Sequence, residues 1–284
     1  MNVIVTGGSG FIGSHLAKEL RKHHNVTTFD LVDGQDVTDA EQVKEALKGQ
    51  DFCFHLAGML GTHELVSETA KAVKINIGGT VNVLDACVEH GVKLIEISKP
   101  NVWVNTYSIT KDASEQFTEM YRRELGLKAS VVKWFNVYGT GQPLFEEAGY
   151  KKAIPTWIVD GLKGRPIEIY GNGHQTVDLV HTADTVASVI AMMDNFDVCE
   201  GKTYEVGADE VELNKVAEMI RDLTGGRSEI SNVPMRAGET PDTKLKANLK
   251  PLKDDTGWEP KVSLEEGLKE CINYYNKKYV ETNI

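Results

Sequence analysis

The stretch from Asn2 to Gly13 constrains this chain more than any other. An apolar strand-like run, Asn2-Val3-Ile4-Val5-Thr6, breaks into Gly7-Gly8-Ser9-Gly10-Phe11-Ile12-Gly13 and continues as a helix with Leu16 and Leu20 four residues apart. Gly8, Gly10 and Gly13 satisfy G-x-G-x-x-G, while Gly7, Gly10 and Gly13 satisfy G-x-x-G-x-x-G. Either spacing lets the backbone turn tightly and bring a pyrophosphate against a helix N-terminus, where N–H groups and the helix dipole favour an anion. Glycines also serve ordinary turns, so the context decides: a strand before, a helix after, and an acid, Asp30, at the end of the next strand.

The pattern continues as strands near 26–30, 52–57, 93–98 and 129–137, alternating with helical stretches near 43–47, 73–89 and 109–125. This rhythm predicts a doubly wound parallel α/β sheet covered on both faces, with right-handed crossovers. Past Gly139 the rhythm loosens. A helix near 156–162 and a strand at 167–170 come first; a strand at 177–180 and a helix at 185–193 then read as a return to the main sheet. A strand at 204–206 and helices near 213–223 and 264–275 complete the chain. The expected division is a nucleotide-binding domain of 1–140 plus about 175–205, and a smaller interleaved C-terminal substrate lobe of about 141–174 plus 206–284.

Asp30 narrows the ligand. A carboxylate there accepts hydrogen bonds from adenosine ribose hydroxyls and repels a 2′-phosphate, and Leu31-Val32-Asp33 adds no cation, so NAD is expected rather than NADP. The net charge of -11 argues against nucleic acid as the main partner but leaves room for a small anionic ligand. No apolar run approaches a membrane span, and Met1 leads almost directly into the first strand, leaving no room for a secretory signal. Cys53, Cys87, Cys199 and Cys271 are widely spaced, so reduced thiols in the cytoplasm are expected, with neither disulfides nor a metal site.

Tyr107-Ser108-Ile109-Thr110-Lys111 puts a phenol and an ammonium on one face of a helix. A phenol titrates near pH 10, and a neighbouring ammonium and nicotinamide cation favour its ionised form. A fall of about three units corresponds to roughly 4 kcal/mol, within reach of charges held in a partly dry site. Tyr107 would then take a hydroxyl proton while hydride leaves the same carbon.

Taken together, the motifs resemble the extended short-chain dehydrogenase/reductase family, in its NAD-dependent epimerase/dehydratase branch. They are the glycine loop, Asp36-Val37, His55-Leu56-Ala57-Gly58, Asn76 with Gly79-Thr80, and Trp134-Phe135-Asn136-Val137-Tyr138-Gly139. Ile169-Tyr170-Gly171, Asp178 and Asp184 follow, then Arg236-Ala237-Gly238-Glu239, Gly257-Trp258-Glu259-Pro260 and Leu264-Glu265-Glu266-Gly267. The resemblance implies a Rossmann domain and catalysis by Tyr107 and Lys111 with a hydroxyl such as that of Ser98. It implies cofactor contacts at Gly7, Gly10, Phe11, Ile12, Gly13, Asp30, Asp36, Val37, Leu56, Ala57, Gly58, Asn76, Tyr107, Lys111, Trp134 and Val137. Substrate contacts are implied at Lys99, Asn136, Ile154, Tyr170, Val177 and Arg236, with a nucleotide-diphosphate sugar as substrate.

Three positions depart from the family pattern. Counting back from Val102-Trp103 puts Lys99 where a hydroxyl is usual; either Ser98 takes that role by a one-residue shift, the reading we prefer, or Lys99 stands in as a cationic donor. The segment 101–106 is short, so Asn101, Asn105 or Thr106 would supply missing polar contacts to the roof of the site. Val177 replaces an Arg that often holds the diphosphate. Pro100 and Asn101 stand where dehydratases and decarboxylases carry acids, which leaves a UDP-hexose 4-epimerase-like reaction through a transient keto-sugar as the expected activity. Dehydration, net oxidation or reduction, and non-catalytic dinucleotide binding are the alternatives. A homodimer is implied by the resemblance, with Phe117, Met120 and Tyr121 as either its interface or core.

Overall fold

The computed structural model describes residues 1–281. Its strands are β1 (Asn2–Thr6), β2 (Asn25–Phe29), β3 (Phe52–His55), β4 (Lys93–Ser98), β5 (Ala129–Trp134), β6 (Asn136–Tyr138), β7 (Ile167–Tyr170), β8 (Thr176–His181), β9 (Thr203–Val206), β10 (Asp209–Glu212) and β11 (Ile230–Val233). The chain forms two compact units. The first comprises Met1–Trp134, Val186–Glu205 and Leu249–Glu259; the second comprises Phe135–Thr185, Val206–Asn248 and the described residues from Pro260 onward.

The first unit is built on a six-stranded sheet in the order β2-β1-β3-β4-β5-β9, with β1 to β5 paired in parallel. Val3, Ile4 and Val5 and the whole of β3 are buried, as a parallel sheet covered on both faces requires. On one face Val43, Leu47, Val83, Leu84 and Cys87 pack over Ile4, Cys53 and Leu94. The chain runs from β1 out to β2 on one side and then crosses back past β1 to β3 on the other, so the strand order reverses between β1 and β3. In a doubly wound Rossmann sheet ligands bind outside the strand ends at such a point, here beside Thr6 and His55.

The second unit holds a three-stranded sheet, β10-β8-β6, and a parallel pair, β11-β7. Its core joins Tyr138, Trp157, Ile158, Ile167, Ile169, Val216, Ile220, Leu268 and Tyr275, contributed largely by helices Ala153–Leu162, Leu213–Leu223 and Leu264–Tyr279. The last of these starts on a capping box in which Ser263 and Glu266 satisfy each other's backbone N–H.

Two local expectations are corrected. The strand at 177–180, read as returning to the main sheet, instead pairs parallel to β6 and antiparallel to β10. A short β-branched run fits either sheet equally well, so its sequence carries no address. The run read as one strand at 129–137 divides at Phe135 into β5 and β6, which join different sheets.

Candidate active site

At the nucleotide end, β1 passes through the glycine turn into the helix Phe11–Leu20. Gly7 has φ +70, and a Cβ on it would stand 2.8 Å from the backbone nitrogen of Ala57. Gly10 is the N-cap, and no side chain caps the helix. The first-turn N–H groups are therefore not taken up by a capping side chain, which fits a pyrophosphate there. Asp30 accepts the Ser9 N–H at 2.9 Å and the Val32 N–H at 3.2 Å, so it ties the end of β2 to the loop. Asp33, which the sequence reading did not single out, accepts the Ser9 hydroxyl at 3.1 Å. Two carboxylates beside the loop suit ribose hydroxyls and oppose a 2′-phosphate. The turn and its acids fit NAD.

The wall beyond β3 is fixed from beneath. His55 is buried between the Thr6 hydroxyl at 2.7 Å and the Thr80 hydroxyl at 3.0 Å. Burial, helped by the charge of Lys111, pushes it down to about 3, so His55 is a neutral core residue. Asn76 accepts the Met59 N–H at 2.6 Å and donates to the Met59 carbonyl at 3.1 Å and the Thr110 hydroxyl at 3.0 Å. Its side chain clamps the segment after Leu56-Ala57-Gly58 to the helix that carries Tyr107. Asn76 lies in a π-helical turn, Val73–Gly78, inside what reads from the sequence as one regular helix. Asp36 accepts the Thr38 N–H at 2.8 Å, and Val37 is buried against Gly79.

Tyr107 occupies the first turn of the helix Thr106–Leu125, and Lys111 follows one turn later. Asn105 caps this helix by accepting the Ser108 N–H at 2.9 Å, and Thr106 meets the Thr69 hydroxyl at 3.0 Å. Lys99 sits 5.2 Å from the centre of the Tyr107 ring and donates to the Pro100 carbonyl and the Ser108 hydroxyl, both at 2.8 Å. The Ser98 hydroxyl donates instead to Glu115. Glu115 also accepts Asn101 at 3.0 Å and pairs with Lys133 at 2.8 Å. Of the two residues weighed for the missing hydroxyl, Lys99 is thus at the Tyr107 ring and Ser98 is bonded to a carboxylate.

Lys111 is 7 % exposed, and burial holds its ammonium below the usual lysine range. Its ion-pair partner is Glu96 at 3.9 Å, a fully buried acid on β4 whose carboxyl burial pushes up. The sequence reading passed over Glu96 and Glu115. The available signal was an acid inside an otherwise apolar strand, Leu94-Ile95-Glu96-Ile97, where charge is rarely buried without a partner.

In the second unit, Arg236 lies over the Tyr170 ring with its guanidinium carbon 4.8 Å from the centre, and it pairs with Glu239. Lys151 stands over the same ring at 5.4 Å. The side-chain oxygen of Asn136 and the Nε of Arg236 are buried without hydrogen-bond partners, groups that a ligand would satisfy. Ile154 is buried in the core, with Val177 packed against it. In the first unit Trp134 is buried; Val137 of β6 is half-buried.

A glycine turn opening a helix on a doubly wound sheet, with a Tyr and a Lys one helical turn apart in the same unit, fits a dinucleotide-dependent enzyme. Residues 3–207 match the model of the NAD dependent epimerase/dehydratase family, and the chain belongs to that family. NAD is its cofactor. The chain is 30% identical to a UDP-N-acetyl-alpha-D-glucosaminuronate decarboxylase of Bacillus cytotoxicus, over 96% of this chain and 97% of the relative. It is 28% identical to a dTDP-glucose 4,6-dehydratase of Mycolicibacterium smegmatis, over 97% and 93%. A crystal structure of the UDP-glucose 4-epimerase of Thermotoga maritima with UDP-glucose superposes with a TM-score of 0.90 and 28% identity, covering 98% of this chain and 99% of that one. The protein is therefore an enzyme of a family that acts on nucleotide sugars. No helix among the described residues is long and apolar enough to cross a membrane.

Proposed function

We propose that this enzyme epimerises a nucleotide-diphosphate sugar at a secondary carbinol, in the manner of a UDP-hexose 4-epimerase. The observation that carries the reading is the Tyr107–Lys111 pair at the start of one helix. Glu115, the acid touched by Ser98 and Asn101, is engaged by those two and by Lys133. Dehydration and decarboxylation each ask for more assistance than a phenol; epimerisation does not. Tyr107 takes the proton of the sugar hydroxyl and later returns it, while Lys111 favours the phenolate and orients the nicotinamide ribose. NAD, held by the glycine turn and Asp30, would supply the reversible hydride acceptor for the same carbon. Asn136, Tyr170 and Arg236 are the residues we assign to the nucleotide diphosphate, with Arg236 as the bidentate group.

Lys99 favours a second reading, in which the sugar carries a carboxylate. A cation beside the Tyr107 ring is suited to a uronate, and the decarboxylase relative acts on one by its name. One assay separates the readings. With NAD and a panel of UDP-hexoses, UDP-N-acetylhexosamines and UDP-uronates, the expected result is a stereoisomer of equal mass without net NADH in solution. A product lighter by water or CO2, or steady NADH release, overturns the epimerase reading.

We further propose a homodimer formed through the exposed side of the Thr106–Leu125 helix. Ile109, Phe117 and Met120 line a groove of about 560 Å³ there with Trp103 and Val104, and Val104 is 92 % exposed. Tyr121, considered for this face, is buried and donates to Asp85 at 2.6 Å. Light scattering is expected to give twice the chain mass, and a monomer at micromolar concentration refutes the dimer. The four cysteines are buried and free.

A further inference from the structure

Glu96 is the least expected side chain in the sheet. β4 is paired on both edges, by β3 and β5, and is buried from Leu94 to Ser98, so an aliphatic residue would pack at Glu96 at lower cost. A fully buried carboxylate survives only against specific partners. Glu96 has two: the Thr118 hydroxyl donates to its Oε2, and the Lys111 ammonium lies 3.9 Å from its Oε1. Its Oε1 makes no hydrogen bond within the protein, so Lys111 is what compensates that oxygen.

The other charges around the pair are already committed. On β5, Lys133 is held by Glu115 at 2.8 Å; on the Lys111 helix, Glu115 carries the Ser98 and Asn101 bonds as well. On β3, His55 is the register neighbour of Glu96 and is neutral. The electrostatics of Lys111 are therefore set by Glu96 and, more weakly, by Glu115. Burial alone drives an ammonium toward its neutral form, and a neutral amine would give Tyr107 no support.

We propose that Glu96 is a positioning residue for Lys111: from inside the sheet, its carboxylate keeps the ammonium charged and fixed behind Tyr107. The inference rests on Lys111 serving Tyr107 as argued above. Removing the acid leaves Lys111 buried without its counter-charge, so the amine loses its proton at lower pH. As pH rises, activity is lost earlier.

The test follows Lys111 directly. Lysine labelled with carbon-13 at Cε is titrated by NMR in the NAD-saturated protein, and the Lys111 signal is assigned by its loss in Lys111→Met. In Glu96→Gln, which keeps the shape and can still accept from Thr118, the Lys111 midpoint is expected to fall by at least about one pH unit. The alkaline limb of kcat is expected to move down with it while KM for the sugar nucleotide stays in place. An unchanged Lys111 midpoint overturns the proposal, even if the variant is less stable. Should Glu96→Gln fail to fold, Thr118→Val decides: a smaller downward shift supports the proposal and an unmoved midpoint overturns it. The titration needs no sugar substrate. A shifted midpoint in a protein that turns nothing over removes the catalytic reading and leaves the Glu96–Lys111 linkage standing.

Discussion

Replacing Tyr107 by Phe is expected to lower kcat by about a thousandfold, the range that a positioned proton-transfer group contributes. The change removes one oxygen and keeps the ring, so the packing of Lys99 over that ring remains available. The backbone of the first turn is unaffected, because the Thr110 hydroxyl donates to the Tyr107 carbonyl and Asn105 caps the helix through Ser108. The loss should accordingly fall on kcat, with NAD affinity and thermal stability close to those of the parent. Steady-state kinetics beside an NAD titration and a melting curve check all three. Retention of more than about a tenth of the activity would mean that Tyr107 is not the acid–base group.

Gly13→Ala is expected to weaken NAD binding at least about tenfold, equivalent to roughly 1.4 kcal/mol. A Cβ at that position collides with the Gly7 carbonyl oxygen and comes within 2.9 Å of the Gly8 Cα. Both are backbone atoms and cannot rotate away. The Gly7 carbonyl also accepts the Gly10 N–H at 3.1 Å, so the turn must open before the added methyl fits. That would displace the N–H groups we assign to the pyrophosphate, and overpacking of this kind costs about 1–3 kcal/mol of stability as well. Calorimetric NAD titration and thermal melts of the variant measure the two effects separately. Unaltered affinity would place the pyrophosphate elsewhere.

What could be read from the residues follows a physical division. Five strands of the six-stranded sheet, β1 to β5, were legible because most are short apolar runs and the helices between them repeat at helical spacing, whereas β9, Thr203-Tyr204-Glu205-Val206, carried no sign of joining them. The glycine turn and the Tyr107–Lys111 spacing were legible because both are local: neighbours in the chain are neighbours in space. β10 and β11 were missed because Asp209-Glu210-Val211-Glu212 and Ile230-Ser231-Asn232-Val233 carry few apolar residues and form only at small sheets in the second unit. The address of β8 was misread for a related reason, since partner choice is a property of the fold. Glu96 and Glu115 lay beyond motif reading altogether. Their hydrogen bonds depend on meetings between β4, or the segment after it, and a helix, across 14 to 22 residues of chain, at spacings that announce no partner.

The π-helical turn at Val73–Gly78 has a consequence for transplanting this chemistry. Within it, the Asn76 carbonyl receives two side-chain hydroxyls, from Thr80 at 2.6 Å and from Ser114 at 2.8 Å, while the Asn76 amide grips Met59 and Thr110. One residue thus works as a four-way bracket joining a loop and two helices, and it does so where the regular coil is widened by an extra residue. A protein engineer who copies only the Tyr–Lys segment into another scaffold, with an ideal helix behind it, would leave that bracket out. The irregularity belongs to the minimal transferable part.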